Sequence, residues 1–254
     1  MKFELLRGSW VVCKRELLSL WVTPLAWVLL TAFLLVQGGV FYSIVLHSAA
    51  MGTEADMVGP LQAYFGQQSV LLSMTLLLLC PALTMRTFAE ERRSGTIEIL
   101  LTAPLRSASL VLGKYWAVLS TYLVIWMPTL LYAVLLRDTG VVDANVLGIS
   151  YLGIALVGSS YLGLGTLMSA LAKSQLVALL ASVFLQFGLF VLGIGEYVLD
   201  EGILRDLSAY LSLTTLFEET SRGLLDSRRL VLHLSLGAWA LYVTTRVVDS
   251  WRSS

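Results

Sequence analysis

Charge is what this sequence has least of. Only 13% of its 254 residues are Asp, Glu, Lys or Arg, about half the roughly 25% of a soluble domain. No charged residue occurs in 22–53, 57–85, 115–136, 144–172, 174–195 or 230–245. A hydrocarbon core about 30 Å thick takes about 20 apolar residues as a helix, and five of these gaps reach that length. The sixth has 16 residues, so Arg229 and Arg246 are expected to snorkel toward the two interfaces. The two-residue alternation of a membrane barrel is missing, and helices satisfy their own backbone groups in lipid. The expected fold is an all-α membrane protein with six transmembrane helices in a single domain, 1–254.

The residues that carry most enzymatic chemistry are also scarce. The two cysteines, Cys13 and Cys80, form no CxxC and read as small packing residues. Two histidines, His47 and His233, make no zinc site on their own, and no HExxH occurs. The nearest thing to a phosphate cradle, Gly113-Lys114, has Ala at 108 and Tyr at 115 where glycine and Ser/Thr are needed. Gly163-Leu164-Gly165 leads to Met168 and lies within a span. The six uncharged segments hold no carboxylate, so no acid–base pair forms inside them. The chain reads as a non-enzyme with no catalytic residue, cofactor or metal of its own.

One catalytic arrangement is weighed and set aside. Gly158-Ser159-Ser160-Tyr161 and His233 loosely resemble the serine and histidine of intramembrane proteases, with the family's Gly-x-Ser-Gly broken at Tyr161. If spans 4 and 6 start at one membrane face, the two side chains stand about 16 Å apart in depth. A serine–histidine pair needs about 3 Å.

The charges that remain are asymmetric. With the N-terminus inside, twelve Lys and Arg face the cytoplasm against five outside, while acidic residues divide six to eleven. The positive-inside rule then places both ends in the cytoplasm. Residues 1–20 read as an interfacial helix with Phe3, Leu6, Trp10, Cys13 and Leu17 toward lipid and Glu4, Arg15, Glu16 and Ser19 on the far side; an N-terminal extension of span 1 is the alternative. Pro24 turns the chain into span 1. The first apolar stretch is too long for a signal-peptide core and is retained as a span. Outer loop 48–66 precedes span 2, 89–109 is a polar cytoplasmic connector, and the outer segment 196–229 carries seven acidic and four basic residues. In span 4, Ser159 and Gly163 form a small-xxx-small helix-packing pair, extended by Gly158 and Gly165. Gln37, Gln67, Gln68, Thr75, Thr84, Ser182 and Gln186 either tie helices together or line a path.

The connector is the most informative stretch: Glu90-Glu91-Arg92-Arg93-Ser94-Gly95-Thr96-Ile97-Glu98-Ile99-Leu100-Leu101-Thr102-Ala103-Pro104. Ser94-Gly95 ends the extension of span 2, 96–102 has room for two helical turns, and Pro104 stops them. Physics alone leaves a short gripping helix and an ordinary solvated loop both open.

This segment, followed by Leu112-Gly113-Lys114-Tyr115, resembles the region after span 2 in ABC-2 type permeases, nearest the gliding-motility (GldF-like) and NosY-like branch. A second similarity is Leu211-Ser212, Phe217-Glu218 and Arg222-Gly223-Leu224-Leu225-Asp226 before span 6. The resemblance spans the whole chain. It implies a permease subunit of an ABC-2 exporter or mechanotransmitter in the bacterial inner membrane. The connector is then a coupling helix for a separate cytoplasmic ABC ATPase dimer, which binds ATP and Mg. Its coupling residues are Glu90, Glu91, Arg92, Gly95, Thr96, Glu98, Leu101 and Pro104. The resemblance further implies a second permease chain, identical or not, and short outer re-entrant helices within 198–226, with Ile203, Leu204, Leu207, Tyr210 and Leu211 dipping into the outer leaflet. Accessory periplasmic or membrane subunits and lipid complete the expected partners; nucleic acid is not among them. The alternative reading is a non-transporting scaffold or assembly subunit.

Overall fold

The computed structural model describes residues 2–51, 59–97, 105–136 and 143–253. Among these the secondary structure is helical, with no strand. Six helices are long and apolar enough to cross a membrane: Pro24–Ala50, Ser69–Ser94, Ser107–Leu135, Ala144–Leu171, Gln175–Val198 and Ser227–Arg252. They are spans 1 to 6, each overlapping one of the uncharged stretches in order, with spans 2, 3 and 6 running seven or more residues past the uncharged stretch at their connector-side ends. Span 5 runs on to Val198, three residues beyond Gly195.

Proline explains two departures from straight helices. Pro128 replaces the middle of span 3 with a 3₁₀ turn, Met127–Thr129, between helices Ser107–Trp126 and Leu130–Leu135. Between the C-terminal part of span 3 and the start of span 4 lies an open apolar groove of about 530 Å³ lined by Leu123, Trp126, Met127, Leu147 and Tyr151. Pro60 opens a short helix, Pro60–Gln62, that continues as a π-helical turn, Ala63–Gln67, into span 2.

The N-terminal helix, Lys2–Val22, breaks at Thr23 before span 1. Its orientation about its axis departs from the expected one at Cys13 and Glu16. Trp10 is exposed and Leu18 with it, whereas Ser9, Val12, Cys13 and Leu20 are buried and Glu16 reaches into the bundle. The helix lies across the start of span 3, where a Cβ on Gly113 would stand 2.6 Å from Val12 Cβ and 2.7 Å from Ser9 O. The reason is the solvent: beside lipid, indole and leucine lose nothing by facing outward, while a carboxylate needs a partner. The side chains of Phe3, Glu4 and Leu6 lie outside the described ones.

Two short helices, Ile203–Leu211 and Leu213–Ser221, connect spans 5 and 6. The first packs on span 5 and keeps Ile203, Leu204 and Leu207 exposed. The second is drawn into the bundle against spans 2 and 4, burying Leu213, Leu216, Phe217 and Thr220. Ser150 Oγ donates to Thr220 O at 3.1 Å, and a Cβ on Gly153 would touch Thr220. The chain has thus already passed well along span 4 when span 6 begins.

That placement overturns the estimated depths of Ser160 and His233. Their Oγ and Nδ1 are 2.9 Å apart, and a Cβ on Gly163 would stand 3.2 Å from the Gly237 backbone. Spans 4 and 6 therefore run side by side in one direction at a nearly constant offset of 73 residues. At that offset Ser227 stands beside residue 154, ten residues past the start of span 4, or about 15 Å along its axis. Starting both spans at one plane was the error. Arg229 is corrected with it: it is buried and bonded within the bundle, while Arg246 is exposed as expected.

Candidate functional site

The connector leaves span 2 through a turn at 85–88 and a short helix, Ala89–Ser94, which Gly95 ends at φ +72°. That left-handed conformation suits glycine. Ser169 of span 4 secures the turn: its Oγ accepts from Phe88 N at 3.1 Å and Ala89 N at 3.2 Å, and donates to Met85 O at 3.1 Å. Two N–H groups at the start of the short helix, which have no partner within it, are thus satisfied from another span.

Arg92 closes the same joint from the other side. Its guanidinium donates to the carbonyls of Ala170, Leu171 and Ala172 at 2.8, 3.3 and 3.1 Å. These are terminal carbonyls of span 4, where a cation also complements the helix dipole. The group lies 5.0 Å from the ring centre of Trp251 in span 6, a cation–π contact.

At the centre is a buried charge cluster. Lys114 is 1% exposed, and its Nζ donates to Glu91 Oε1 at 2.9 Å and Glu16 Oε1 at 3.0 Å. Arg15 reaches the same two carboxylates at 2.7 and 3.1 Å. Lys114 is thereby buried against two carboxylates, and Arg15, whose side chain is 56% exposed, balances the second negative charge from the open side. Burial alone would raise the Glu16 carboxyl; the Lys114 ammonium and hydrogen bonds from Arg15 and Lys114 outweigh it and hold the group below its ordinary 4.5. Gly113-Lys114 therefore serves packing and charge pairing: the glycine admits the N-terminal helix and the lysine binds it.

Of the remaining coupling candidates, Glu90, Gly95 and Thr96 lie around this joint. Glu90 pairs with Arg86 through two bonds, at 2.7 and 2.9 Å. Thr96 Oγ1 is 2.8 Å from Ser94 Oγ. Glu98, Leu101 and Pro104 lie outside the described residues. The connector's far side is held too: Arg252 of span 6 donates to Leu105 O, and a Cβ on Gly8 would sit 3.1 Å from the Leu105 side chain. Glu91 and Arg92 are thus turned into the bundle, whereas Glu90, Gly95 and Thr96 stay at its surface. Ser169 and Trp251 were not singled out by sequence, and Glu16 and Lys114 were noted there for other reasons than pairing; a lysine abutting the charge-free run 115–136 was the one available signal.

In span 4, Ser159 and Gly163 lie against Gly237 of span 6, and Tyr115 donates to Ser159 O at 3.0 Å. Gly158 makes room for the Tyr122 ring and Gly165 for Thr84. Of the intramembrane polar residues, Gln37 accepts from Tyr64 Oη at 3.0 Å and Gln186 donates to Tyr161 O at 3.0 Å. Thr75, Thr84 and Ser182 bond within their own helices.

Ser160 and His233 meet at bonding distance without forming a hydrolytic centre. Ser160 is fully buried and its hydroxyl donates to Val157 O at 2.8 Å. The charged residue one turn from His233 is Arg229, not the carboxylate that would stabilise an imidazolium during acyl transfer.

Six apolar spans with internally paired polar groups define a multi-pass membrane protein. The profile of the ABC-2 family transporter proteins matches residues 48–220, and the chain belongs to that family. No curated protein shows significant similarity to it. Membership makes it the permease subunit of an ABC transporter, generally the non-catalytic membrane part, and implies a cytoplasmic ABC ATPase as partner.

Proposed function

We propose that the chain, as one of two permease subunits in a complex with two ATPase subunits, receives the ATPase stroke on connector 89–109 and passes it directly to spans 3, 4 and 6. The observation that carries this is the tying of the connector at both ends to spans 4 and 6, neither of which it joins, with a further tie to span 3. Ser169 and Arg92 tie its first turns to span 4, Lys114 to span 3, and Arg252 ties Leu105 to span 6. A force on the connector cannot be absorbed by its joints without breaking these bonds. The connector side is cytoplasmic in this reading, which puts both termini inside the bacterial inner membrane, and 196–229 outside. There, Leu213–Ser221, sunk among spans 2 and 4, acts as the re-entrant cap over the exit, and exposed Ile203, Leu204 and Leu207 face the outer leaflet. The GldF-like and NosY-like resemblance allows either export of an amphipathic substrate or transmission of force.

The test is purification of the chain with its ATPase in lipid nanodiscs. The intact permease is expected to change ATP turnover on binding, and Glu98→Arg to abolish that change while insertion stays normal. Undiminished stimulation in the variant removes the connector from the mechanism. A chain that recovers no ATPase at all points to the scaffold reading.

A further inference from the structure

The N-terminal helix presents a face that no described residue covers. Arg7, Trp10, Val11, Lys14, Leu18 and Val22 are all exposed, and their spacing puts them on one stripe of the helix. Trp10 is 68% exposed and Val22 82%. The opposite side, with Ser9, Val12 and Cys13, is buried on span 3.

The stripe is cationic. Glu16 is the one acidic residue between 7 and 22, and it is turned inward onto Lys114. Arg15, at the edge of the stripe, is shared between Glu16 and Glu91. Arg7 and Lys14 make no ion pair or hydrogen bond with any described residue. They stand two turns apart, about 10 Å along the axis, with Trp10 and Val11 between them.

Charge and bare apolar surface are also ordered by depth. Glu16 meets Lys114, the last charged residue before the uncharged run 115–136. Arg7 and Lys14 therefore fall on the headgroup side of that level, and Leu18 and Val22 on the hydrocarbon side. Past the break at Thr23, span 1 resumes with exposed Trp27 and Val28, so the apolar end of the stripe is continuous with a lipid-facing span. Water satisfies the cations and not the apolar residues. A two-fold contact of the stripe with its own copy sets cation against cation. An anionic phospholipid satisfies both, its phosphate accepting charge-assisted hydrogen bonds and its chains covering the apolar residues.

We propose that this stripe binds anionic phospholipids of the connector-side leaflet, with Arg7 and Lys14 on the phosphate and Trp10, Leu18 and Val22 against the glycerol and acyl chains. Through Arg15, which also contacts Glu91, the bound lipid borders the connector joint. The inference rests on the membrane placement alone and is independent of ATPase coupling.

The test uses the full chain with Val11→Cys carrying a bimane label, one turn from both cations, and the two buried cysteines replaced by alanine. It is reconstituted in phosphatidylcholine nanodiscs that contain, at equal mole fraction, phosphatidylglycerol or phosphatidylcholine with brominated acyl chains. Bromine quenches a fluorophore it touches, so the signal reads lipid and not free phosphate. Brominated phosphatidylglycerol should be enriched at the label by about fivefold for each cation. Raising salt from about 0.05 M to about 1 M, where the Debye length is about 3 Å, should remove most of that preference. Arg7→Gln/Lys14→Gln should be quenched equally by both lipids, and Arg7→Lys/Lys14→Arg should keep the preference. Equal quenching without these substitutions, or a preference that survives in the glutamine pair, overturns the proposal. Quenching by neither lipid overturns it as well, and disulfide formation between two Val11→Cys chains would then assign the stripe to a second copy. If the glutamine pair does not fold, salt decides, and a preference insensitive to salt is equally fatal.

Discussion

Removing the buried ammonium is the sharpest perturbation of the connector joint. Lys114→Met preserves length and apolar stem but leaves Glu16 and Glu91 with Arg15 as their one cationic partner, a net charge of minus one in a site where Lys114 is 1% exposed. Breaking a buried pair by deleting one partner costs about 3–5 kcal/mol. For a chain of this size, about 2–4 °C per kcal/mol translates this into a melting temperature lower by roughly 6–20 °C. The assay is thermal unfolding in nanodiscs by tryptophan fluorescence, which the seven tryptophans make strong. The double variant Lys114→Met/Glu91→Gln restores neutrality, with Arg15 facing Glu16 at 2.7 Å, and should recover most of the loss. A single variant within about 0.5 kcal/mol of wild type, or a double variant no better than the single, would refute the charge accounting.

Other outcomes follow from the same joint. Arg92→Ala strips three carbonyl contacts and the Trp251 contact, for a loss of about 1.5–3 kcal/mol; Arg92→Lys should restore only part of it, because one ammonium nitrogen can replace Nη1 at the carbonyls but not the planar guanidinium over Trp251, and chemical denaturation of both variants checks this. Gly113→Ala drives a methyl into Val12 and Ser9, costs about 1–3 kcal/mol, and should raise protease sensitivity of the N-terminal helix first. Because the Glu16 carboxyl is held below 4.5 in the folded chain, the unfolded chain binds more protons in acid. The stability it contributes is complete above about pH 4.5 and is lost as pH falls through the lowered value. Glu16→Gln lacks that contribution at pH 7 already, so its melting temperature should change less than the wild type's between pH 6 and pH 3.

The spans were legible because lipid imposes one dominant rule, the exclusion of charge over some 20 residues, and this chain obeys it in all but one gap. The connector's start was legible for a local reason: Ser94-Gly95 ends a helix wherever it lies. What the sequence hid was three-dimensional. The face of the N-terminal helix was assigned from its apolar stripe alone, so Glu16 was placed on the far side and Cys13 toward lipid; pairing of Glu16 with Lys114, 98 residues away, turns that side of the helix into the bundle, where Cys13 is buried as well. Ser160 and His233 were separated by a depth estimate that fixed the start of span 6 at the surface. The sinking of Leu213–Ser221 into the bundle removes that gap, and no local pattern announces it. For Glu91 and Arg92, motif and charge marked the segment as a candidate, but which side chains turn inward depended on where span 4 ends.

The direct measurement is a distance between spin labels at Arg93 and Lys173, two exposed positions, one in the short connector helix and one just past the end of span 4. It is made by electron paramagnetic resonance on the ATPase-bound complex, with and without a trapped nucleotide. If connector and span 4 move as one body, the distance distribution stays the same in both states while ATP turnover is coupled. A shift between the two states would show the joint yielding under the motor and contradict direct transmission.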